Sequence, residues 1–479
     1  MRVLLALLLV GIAGCGGGSS PPGEGAVPTP EGSQAKVDKS SAPAVDTDPV
    51  VAVLKMHEAY IKQNEQGEVV EVITDAGLVH LEGLNHLKIK RNEQGEVVEV
   101  ITDAGLVHLE GLNHLKHLDL EFTQITDAGL VHLKGLTKLE TLSLNFTKIT
   151  DAGLVHLNGL TSLQSLNLYG TKITGTGLVH LKGLTKLQAL RLDGTKITDA
   201  GLVHLKGLTS LQTLSLGTTQ ITGTGLVHLS GFTNLQTLSL YRTKVTDAGL
   251  VHLSGMTSLQ SLFLSSTKVT GTGLEHLKGL QLTSLGIPKD AKTDLGLTHY
   301  LAASETYTAL HLSGWKITDA GLVHLKGLTN LEKLVLSGSI TDAGLVRLKG
   351  MTNLQALRLD ATKVTDAGLV HLRGMTNLQA LRLDATKVTD AGLVHLKGLQ
   401  LTSLGIPNDA KTDLGLKHYL AALETHTALN LSGWKITDAG LVHLKGLTKL
   451  ETLSLNFTKV TDAGVADLQK ALPNCKISR

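Results

Sequence analysis

The sequence predicts an α/β solenoid in which a parallel β-sheet lines the concave face and helices line the convex face. Three observations predict it. A unit of 24 residues recurs through most of the 479-residue chain, and each unit has an alternating apolar segment followed by one with helical spacing. Aromatic residues make up only 3% of the composition, so the interior has to be built from many copies of one small aliphatic layer.

The repeating unit is clearest over residues 139–157, which read Leu-Glu-Thr-Leu-Ser-Leu-Asn-Phe-Thr-Lys-Ile-Thr-Asp-Ala-Gly-Leu-Val-His-Leu. Leu142 and Leu144 alternate with polar residues, which is typical of a half-buried strand. Leu154 and Leu157 have the spacing of one helix face. Each unit is therefore predicted to be a strand that leads into a helix.

The junction within each unit carries a helix start signal. Thr150 is suited to be the N-cap, and Asp151 places an acidic residue in the first turn. Because parallel strands stack about 4.8 Å apart while helix axes need about 8–10 Å, the stack has to curve. Fifteen regular strands are predicted to begin at His117, Thr141, Ser165, Ala189, Thr213, Thr237, Ser261, Ser284, Ala309, Lys333, Ala356, Ala380, Ser403, Ala428 and Thr452.

This unit resembles the leucine-rich-repeat superfamily, in the ribonuclease-inhibitor-like and F-box-associated branch whose repeats read L-x-x-L-x-L-x-x-C-x-x-I-T-D-x-G-L. The resemblance covers about residues 70–479 and implies a curved horseshoe that binds partners rather than an enzyme. The chain departs from the branch by placing Thr where the branch has Cys or Asn, as at Thr147 and Thr171, and the hydroxyl can bond loop backbone groups internally. No F-box precedes the array, so a ubiquitin-ligase function is not implied.

The N-terminus predicts a bacterial lipid anchor. Residues 1–14 combine an early arginine with a short apolar run, as in a secretion signal, and end in Ile-Ala-Gly before Cys15. That ending resembles the lipobox of bacterial lipoproteins and implies lipidation of Cys15. By the same resemblance to bacterial lipoproteins, Gly16 after the cysteine implies the outer membrane or cell surface rather than the inner membrane. Residues 15–48, rich in Gly, Pro and Ser, are predicted to be a disordered tether that holds the folded part in the cell envelope.

The apolar residues Val50, Leu54 and Ile61 lie near one helical stripe, so residues 49–64 are predicted to form an N-terminal capping helix. Residues 65–116 hold irregular, nearly duplicated repeats. The regular leucine-rich-repeat array is predicted over 117–471, with a C-terminal cap at 472–479 whose apolar residues resemble a truncated last strand.

A second internal duplication links residues 278–329 to 397–448. It includes Pro288, which lacks an N–H and predicts a locally distorted strand. Trp315 and Trp434 stand where other units have the loop threonine, so a local bulge is expected at both.

Composition excludes several classes of function. Lys+Arg 44 against Asp+Glu 42 leaves a net charge of +2, which offers no field for nucleic acid. A lysine column that includes Lys148 is expected to be neutralised by the nearby aspartate column that includes Asp127. The two cysteines, Cys15 and Cys475, are too few for a disulfide framework or a zinc site.

Catalytic, cofactor and metal sites are not expected. The column of histidines that includes His156 and His180 invites a metal interpretation, but neighbouring helices hold the rings about 8–10 Å apart. Ser, His and Asp recur by copying, without a singular triad, a phosphate loop or a paired-cysteine motif. The chain is therefore predicted not to be an enzyme.

The positions that vary between units are the candidates for binding. Aromatic and arginine side chains dominate binding hot spots. The predicted partner-binding residues of the concave face are Phe122, Phe146, Tyr169, Arg191, Asp193, Tyr241, Arg242 and Phe263. The alternatives are that these are scattered surface residues and that Phe122 and Phe146 pack into their loops. Arg358 and Arg382, beside Asp360 and Asp384, are interpreted as a self-neutralised ladder in preference to an anion site.

The predicted function is a lipid-anchored, non-catalytic scaffold that binds a protein or peptide on the concave sheet outside the cytoplasm. Two alternatives stay open. A carbohydrate or peptidoglycan receptor would use Tyr169, Tyr241 and Trp315 as stacking faces for cell-wall glycan. A structural envelope spacer would have no specific ligand.

Overall fold

The computed structural model describes residues 101–304, 307–424 and 427–479, together with the backbone of three short strands before residue 101. The chain divides into two units, Met1–Thr47 and Asp48–Arg479. All described residues belong to the second unit. The predicted signal peptide, the lipidation of Cys15 and the tether at 15–48 therefore lie outside the described residues and stay predictions.

The described residues form nineteen strands, most of them three residues long. The fifteen predicted strand starts coincide with the first residues of β4–β18, and that prediction is confirmed. The strands are β1 (Ile61–Gln63), β2 (Val69–Val72), β3 (His86–Leu87), β4 (His117–Asp119), β5 (Thr141–Ser143), β6 (Ser165–Asn167), β7 (Ala189–Arg191), β8 (Thr213–Ser215), β9 (Thr237–Ser239), β10 (Ser261–Phe263), β11 (Ser284–Gly286), β12 (Ala309–His311), β13 (Lys333–Val335), β14 (Ala356–Arg358), β15 (Ala380–Arg382), β16 (Ser403–Gly405), β17 (Ala428–Asn430), β18 (Thr452–Ser454) and β19 (Lys476–Ser478).

From β3 to β19 each strand pairs in parallel with the next along the chain, except between β11 and β12 and between β16 and β17. Strand β1 pairs antiparallel with β2. The register places each central leucine beside the next, as Leu142 lies beside Leu166. Strand β19 pairs with β18, which confirms the truncated last strand expected at the C-terminus. The fold is an α/β leucine-rich-repeat solenoid.

The parallel strands form three sheets rather than one: β3–β11, β12–β16 and β17–β19. Both breaks follow units that carry a proline after the strand, Pro288 and Pro407. The missing N–H of proline does not explain the two breaks. In a regular unit Tyr169 stands at the position of the proline, and its N–H donates to Asn167 Oδ1 rather than to a neighbouring strand. The same two units carry helices of nine and ten residues, which need more room than the strand spacing allows.

Most units carry a short 3-10 helix where an α-helix was expected. Leucines spaced by three residues, such as Leu130, Leu133 and Leu136, are all fully buried, and that spacing matches the three residues per turn of a 3-10 helix. The α-helices are α1 (Asp151–Leu154), α2 (Asp247–Leu250), α3 (Asp294–Ala302), α4 (Asp342–Leu348), α5 (Asp413–Ala422), α6 (Asp438–Leu441) and α7 (Asp462–Ala471). The 3-10 helices are Gly105–Leu109, Gly129–Leu133, Val155–Leu157, Gly177–Leu181, Asp199–Leu205, Thr224–Leu229, Val251–Leu253, Gly273–Leu277, Lys289–Ala291, Gly321–Leu325, Gly368–Leu372, Gly392–Leu396 and Asn408–Ala410. No helix among the described residues is both long and apolar enough to span a bilayer.

The predicted capping helix over 49–64 lies mostly outside the described residues. Its described part, Ile61–Gln63, is a strand that pairs with Val69–Val72, so the helix does not include these three residues. Three valines in the second strand favour extended structure, and a connection of five residues containing Gly67 is typical of a hairpin.

A ladder of leucines forms the core, and threonine hydroxyls close the turn of most units. Leu142 and Leu144 are fully buried, and each such side chain contributes roughly 1.5–3 kcal/mol. The Thr147 hydroxyl, 6% exposed, donates to the Leu144 carbonyl at 2.6 Å, and Thr171 donates to Leu168 at 2.7 Å. The expected internal role of the threonine hydroxyls is therefore confirmed.

A second ladder joins the helix starts of successive units. Asp127 Oδ1 accepts a hydrogen bond from Thr150 N at 2.7 Å, and Oδ2 accepts one from the Thr150 hydroxyl at 2.5 Å. Thr150 is also the N-cap of α1, as expected, and accepts from Ala152 N. A Cβ on Gly153 would lie 2.5 Å from Asp127 Oδ1, so the glycine makes room for the carboxylate.

This aspartate-threonine ladder corrects the expected neutralisation between the lysine and aspartate columns. The aspartates bond to the threonine of the next unit, and in the described part of the chain no ion pair involves Lys148 or Lys172. No lysine is among the groups that shift the pKa of Asp151 or Asp199. The two columns carry opposite charge without direct pairing.

Candidate partner-binding surface

Three aromatic rings stack along the carboxyl ends of β4, β5 and β6. The ring centroids of Phe122 and Phe146 are 4.7 Å apart and stacked at 29°, and Phe146 meets Tyr169 edge-on at 4.6 Å. Phe122 and Phe146 have φ of 61° and 56°, so they lie in the turns after the strands rather than on the strands. Their partial burial in the turns agrees with the alternative that they pack into the loops. We call these three residues the aromatic ladder.

Glycines of the following units lie beneath the aromatic ladder. A Cβ on Gly170 would lie 2.7 Å from two carbons of the Phe146 ring, and one on Gly194 would lie 3.1 Å from Tyr169 Cε2. Both glycines also have left-handed φ, 68° and 69°, which side chains rarely adopt. The rings are therefore held in place before any partner arrives, which lowers the entropy lost on binding.

Four further predicted residues continue this surface towards β10. Tyr241 and Phe263 are each 38% exposed, and Phe263 lies 3.4 Å from the position of a Cβ on Gly286. Arg191 is exposed at the end of β7, and Arg242 is exposed in a turn with φ of 54°. The structure thus places aromatic and arginine side chains along one side of the nine-stranded sheet.

Asp193 has a structural role that sequence reasoning missed. Its Oδ1 accepts hydrogen bonds from the Ser215 hydroxyl at 2.7 Å and from Gly217 N at 3.0 Å. A Cβ on Gly217 would lie 2.6 Å from the same oxygen. The signal was present in the sequence, since glycine follows one unit later at the same position. Asp193 therefore fixes the turn after β8, and one of its oxygens is occupied within the sheet.

The arginines of β14 and β15 form the self-neutralised ladder that the sequence favoured. Arg358 Nε lies 2.9 Å from Asp360 Oδ2, and Arg382 Nε lies 2.8 Å from Asp384 Oδ2. Arg382 Nε is also 3.8 Å from Asp360 Oδ1. The hydrogen bond that Arg382 donates to Asp384 raises the pKa of Arg382 above its ordinary value. That interpretation is confirmed.

The two tryptophans are buried, which corrects two expectations. Trp315 and Trp434 are 8% and 6% exposed and pack edge-on against Tyr300 and Tyr419, with centroids 5.4 and 5.1 Å apart. The turn does not bulge, because Trp315 N donates to Leu312 O at 3.2 Å as threonine does in regular units. The longer helices α3 and α5 supply the tyrosines. Trp315 therefore offers no stacking face to a glycan.

The histidine column shows no geometry for a metal. Among residues 101–304, 307–424 and 427–479, no three His, Cys, Asp or Glu side chains lie close enough together to hold an ion. His132 Nδ1 bonds instead to Glu110 at 2.5 Å. Burial and the charge of Lys134 lower the pKa of His156, against the opposing effect of Asp127.

Family profiles match the regular part of the chain. A profile described as "Leucine rich repeat" matches residues 137–197, "Leucine Rich repeats (2 copies)" matches 113–156, and a second "Leucine Rich repeat" profile matches 446–468. No curated protein sequence matches the chain.

Several solved structures are similar to the chain at low sequence identity. An internalin (inlF) from Listeria monocytogenes is 22% identical over 81% of this chain and 91% of its own, with a TM-score of 0.29. A leucine-rich-repeat protein of Leptospira interrogans is 20% identical over 84% and 91%, with a TM-score of 0.44. The plant peptide hormone receptor RGFR1 in complex with RGF2 is 16% identical over 87% and 82%, with a TM-score of 0.41.

The profile matches agree with the geometry of the described residues. Most units have a strand of about three residues, a left-handed turn closed by a buried or half-buried threonine or tryptophan, and a short helix that buries leucines. The ribonuclease-inhibitor-like branch is a finer assignment that the matched profiles do not specify. The described part of this chain is a leucine-rich-repeat solenoid.

Proposed function

We propose that this chain is a non-catalytic interaction scaffold that binds a protein or peptide along the aromatic ladder and the neighbouring Arg191, Tyr241, Arg242 and Phe263. The observation that carries the proposal is the aromatic ladder itself, whose rings are fixed over Gly170 and Gly194 while Tyr169 stays 37% exposed. Rigid aromatic side chains beside arginines are the usual composition of binding hot spots.

The mechanism is presentation of side chains in a fixed register. Parallel strands hold successive units about 4.8 Å apart, so contacts from several units can act on one partner without a large ordering cost. The glycines under the rings contribute to this register, because the absence of a Cβ lets Phe146 and Tyr169 pack closely against the next unit. A partner with apolar side chains and carboxylates would complement the aromatic rings and arginines.

The first test is capture from bacterial envelope extract by the full-length chain, followed by titration of the purified captured protein. The variant Tyr169→Ala/Arg191→Ala/Tyr241→Ala is expected to weaken binding by about 100-fold or more, since truncation of one hot spot costs about 2 kcal/mol. These side chains are exposed, so the variant is expected to keep the circular-dichroism spectrum of the wild type.

A matched control removes an exposed aromatic residue and an exposed arginine elsewhere. The variant Arg347→Ala/Phe457→Ala, in which Phe457 is 93% exposed, is expected to bind as the wild type does. Equal affinity of the triple variant and the control would remove the assigned surface. Capture of no partner by the wild type would favour a spacer without a specific ligand.

We also propose that Cys15 carries a lipid that anchors the chain in the cell envelope of a bacterium. The proposal is supported by the Ile-Ala-Gly-Cys ending of the apolar N-terminal run. A Cys15→Ser variant is expected to leave the membrane fraction and to lose incorporation of labelled palmitate. A wild-type chain without labelled lipid would contradict the anchor and leave the binding surface unaffected.

A further inference from the structure

A row of five glutamines runs along the amino ends of β6–β10, at the opposite ends of these strands from the aromatic ladder. Each is the residue immediately before its strand, and each is exposed. The backbone of the row is continuous, because the N–H of each of the last four glutamines donates to the carbonyl of the glutamine before it at 2.7–2.8 Å. We call Gln164, Gln188, Gln212, Gln236 and Gln260 the glutamine row.

The glutamine row borders a groove of about 500 Å³. Its last four members line the groove together with Ser210, Asn234 and Ser258. Every side chain that lines the groove is thus an uncharged amide or hydroxyl. Strands spaced about 4.8 Å apart give the five glutamines a length of roughly 19 Å.

The carboxamides of the row make no hydrogen bonds to other described residues. Other polar side chains of the same sheet are engaged: Asn145 bonds to Ser143 and Glu121, and Asp193 bonds to Ser215. Each free carboxamide can donate two hydrogen bonds and accept two. The row therefore presents unused donors and acceptors at a regular spacing.

The fold does not require glutamine at this position. In the two units before the row, Lys116 and Glu140 stand there and form an ion pair at 2.9 Å. In the next unit Thr283 stands there, and its hydroxyl donates to Gln260 O at 3.1 Å. The strands pair in the same way in all of these units. The glutamines thus change the surface without changing the fold.

We propose that the glutamine row and its groove bind an uncharged polysaccharide chain. Sugar hydroxyls both donate and accept hydrogen bonds, so they match carboxamides and hydroxyls alike. A site made of the same side chain at each step suits a ligand that is itself a repeating polymer, because several weak contacts then act on one chain. A peptide fits less well, since peptide grooves add pockets for apolar side chains and this lining has none.

The test uses the full-length chain and three probes of defined composition. These are hexamers of β-1,4-linked glucose, hexamers of β-1,4-linked N-acetylglucosamine, and a neutral decapeptide of alternating glycine and serine. Binding is measured by isothermal titration. At least one of the sugar hexamers is expected to bind with a Kd at or below about 1 mM, and its monomer to bind far more weakly.

The variant Gln188→Ala/Gln212→Ala/Gln236→Ala is expected to weaken hexamer binding by about tenfold or more. The matched control is Gln355→Ala/Gln379→Ala, which removes a half-buried and an exposed glutamine at the same register position in the sheet β12–β16, and it should bind as the wild type does. The variant of Tyr169, Arg191 and Tyr241 should also bind the hexamer normally, which separates this site from the proposed protein-binding surface.

Three results would overturn the proposal. These are absence of binding by both hexamers, equal binding by the wild type and the triple glutamine variant, and binding of the decapeptide alone in a glutamine-dependent way. The last result would reassign the groove to a peptide backbone.

Discussion

Replacing Gly201 by alanine is expected to lower the free energy of unfolding by about 3 kcal/mol, the upper end of the usual cost of overpacking. A Cβ on Gly201 would lie 2.5 Å from the Cα of Gly175 in the preceding unit. Both partners in this contact are backbone atoms, so neither can rotate away as a side chain would. The approach is close because Gly175 stands where other units carry the ladder aspartate.

Urea unfolding followed by circular dichroism measures this effect. The control is Gly207→Ala, six residues along the same unit, where the nearest atom to the new Cβ is Lys182 O at 3.7 Å, an ordinary contact. That variant should unfold within about 0.5 kcal/mol of the wild type. Equal midpoints for the two variants would show that successive units can separate enough to admit a methyl group.

Replacing Asp151 by alanine is expected to lower the free energy of unfolding by about 2–3 kcal/mol, the range for hydrogen bonds to a charged group. Its Oδ1 accepts from Thr174 N at 2.7 Å. Its Oδ2 accepts from the hydroxyls of Thr174 and Thr176, and Gly177 N also donates to the carboxylate. Alanine would leave all four donors to water or to weaker partners.

The measurement is again the urea midpoint, with Asp290→Ala as the control. Asp290 is an exposed aspartate and its removal should change the unfolding free energy by less than about 0.5 kcal/mol. A similar change in both variants would mean that the aspartate-threonine ladder adds nothing beyond solvated charge.

The stabilisation of the fold by the Asp151 carboxylate depends on pH. Burial raises the pKa of Asp151, but the hydrogen bonds from Thr174, Thr176 and Gly177 outweigh it, and the net pKa is below the ordinary 3.8. The unfolded chain therefore takes up the proton first as pH falls. The stabilisation is fully present above about pH 3.8 and is lost as pH falls through the folded pKa, so wild type and Asp151→Ala should converge in acid.

The sequence was sufficient to predict the strands and the leucine core because both follow from local periodicity. The start of β5 at Thr141 and the buried pair Leu142 and Leu144 are examples. It was also sufficient to predict the internal role of the Thr147 hydroxyl. These features depend on one unit and its immediate copy.

Features that depend on contacts between different units were not predicted. The hydrogen bonds between Thr150 and Asp127 join residues 23 positions apart. The interpretation from charge alone paired that aspartate with a lysine instead. The burial of Trp315 depends on Tyr300, which lies on a helix of unusual length. The glutamine row was visible in the sequence, but the lack of internal partners for its side chains becomes apparent only in three dimensions.

The two breaks in the parallel sheet have a consequence for cooperativity. In a solenoid, stability is a sum of the units' own stabilities and the coupling between nearest neighbours. Where β11 and β12, or β16 and β17, share no strand ladder, the coupling rests on contacts beyond the strands. At the first junction Lys316 N donates to Lys292 O, Thr318 bonds to Asp294, and Tyr300 packs against Trp315. Duplication of residues 278–329 as 397–448 therefore copied a junction without a strand ladder along with the repeats. The parallel strands form blocks of nine, five and three, and we expect unfolding to be less cooperative across the two junctions than within a block.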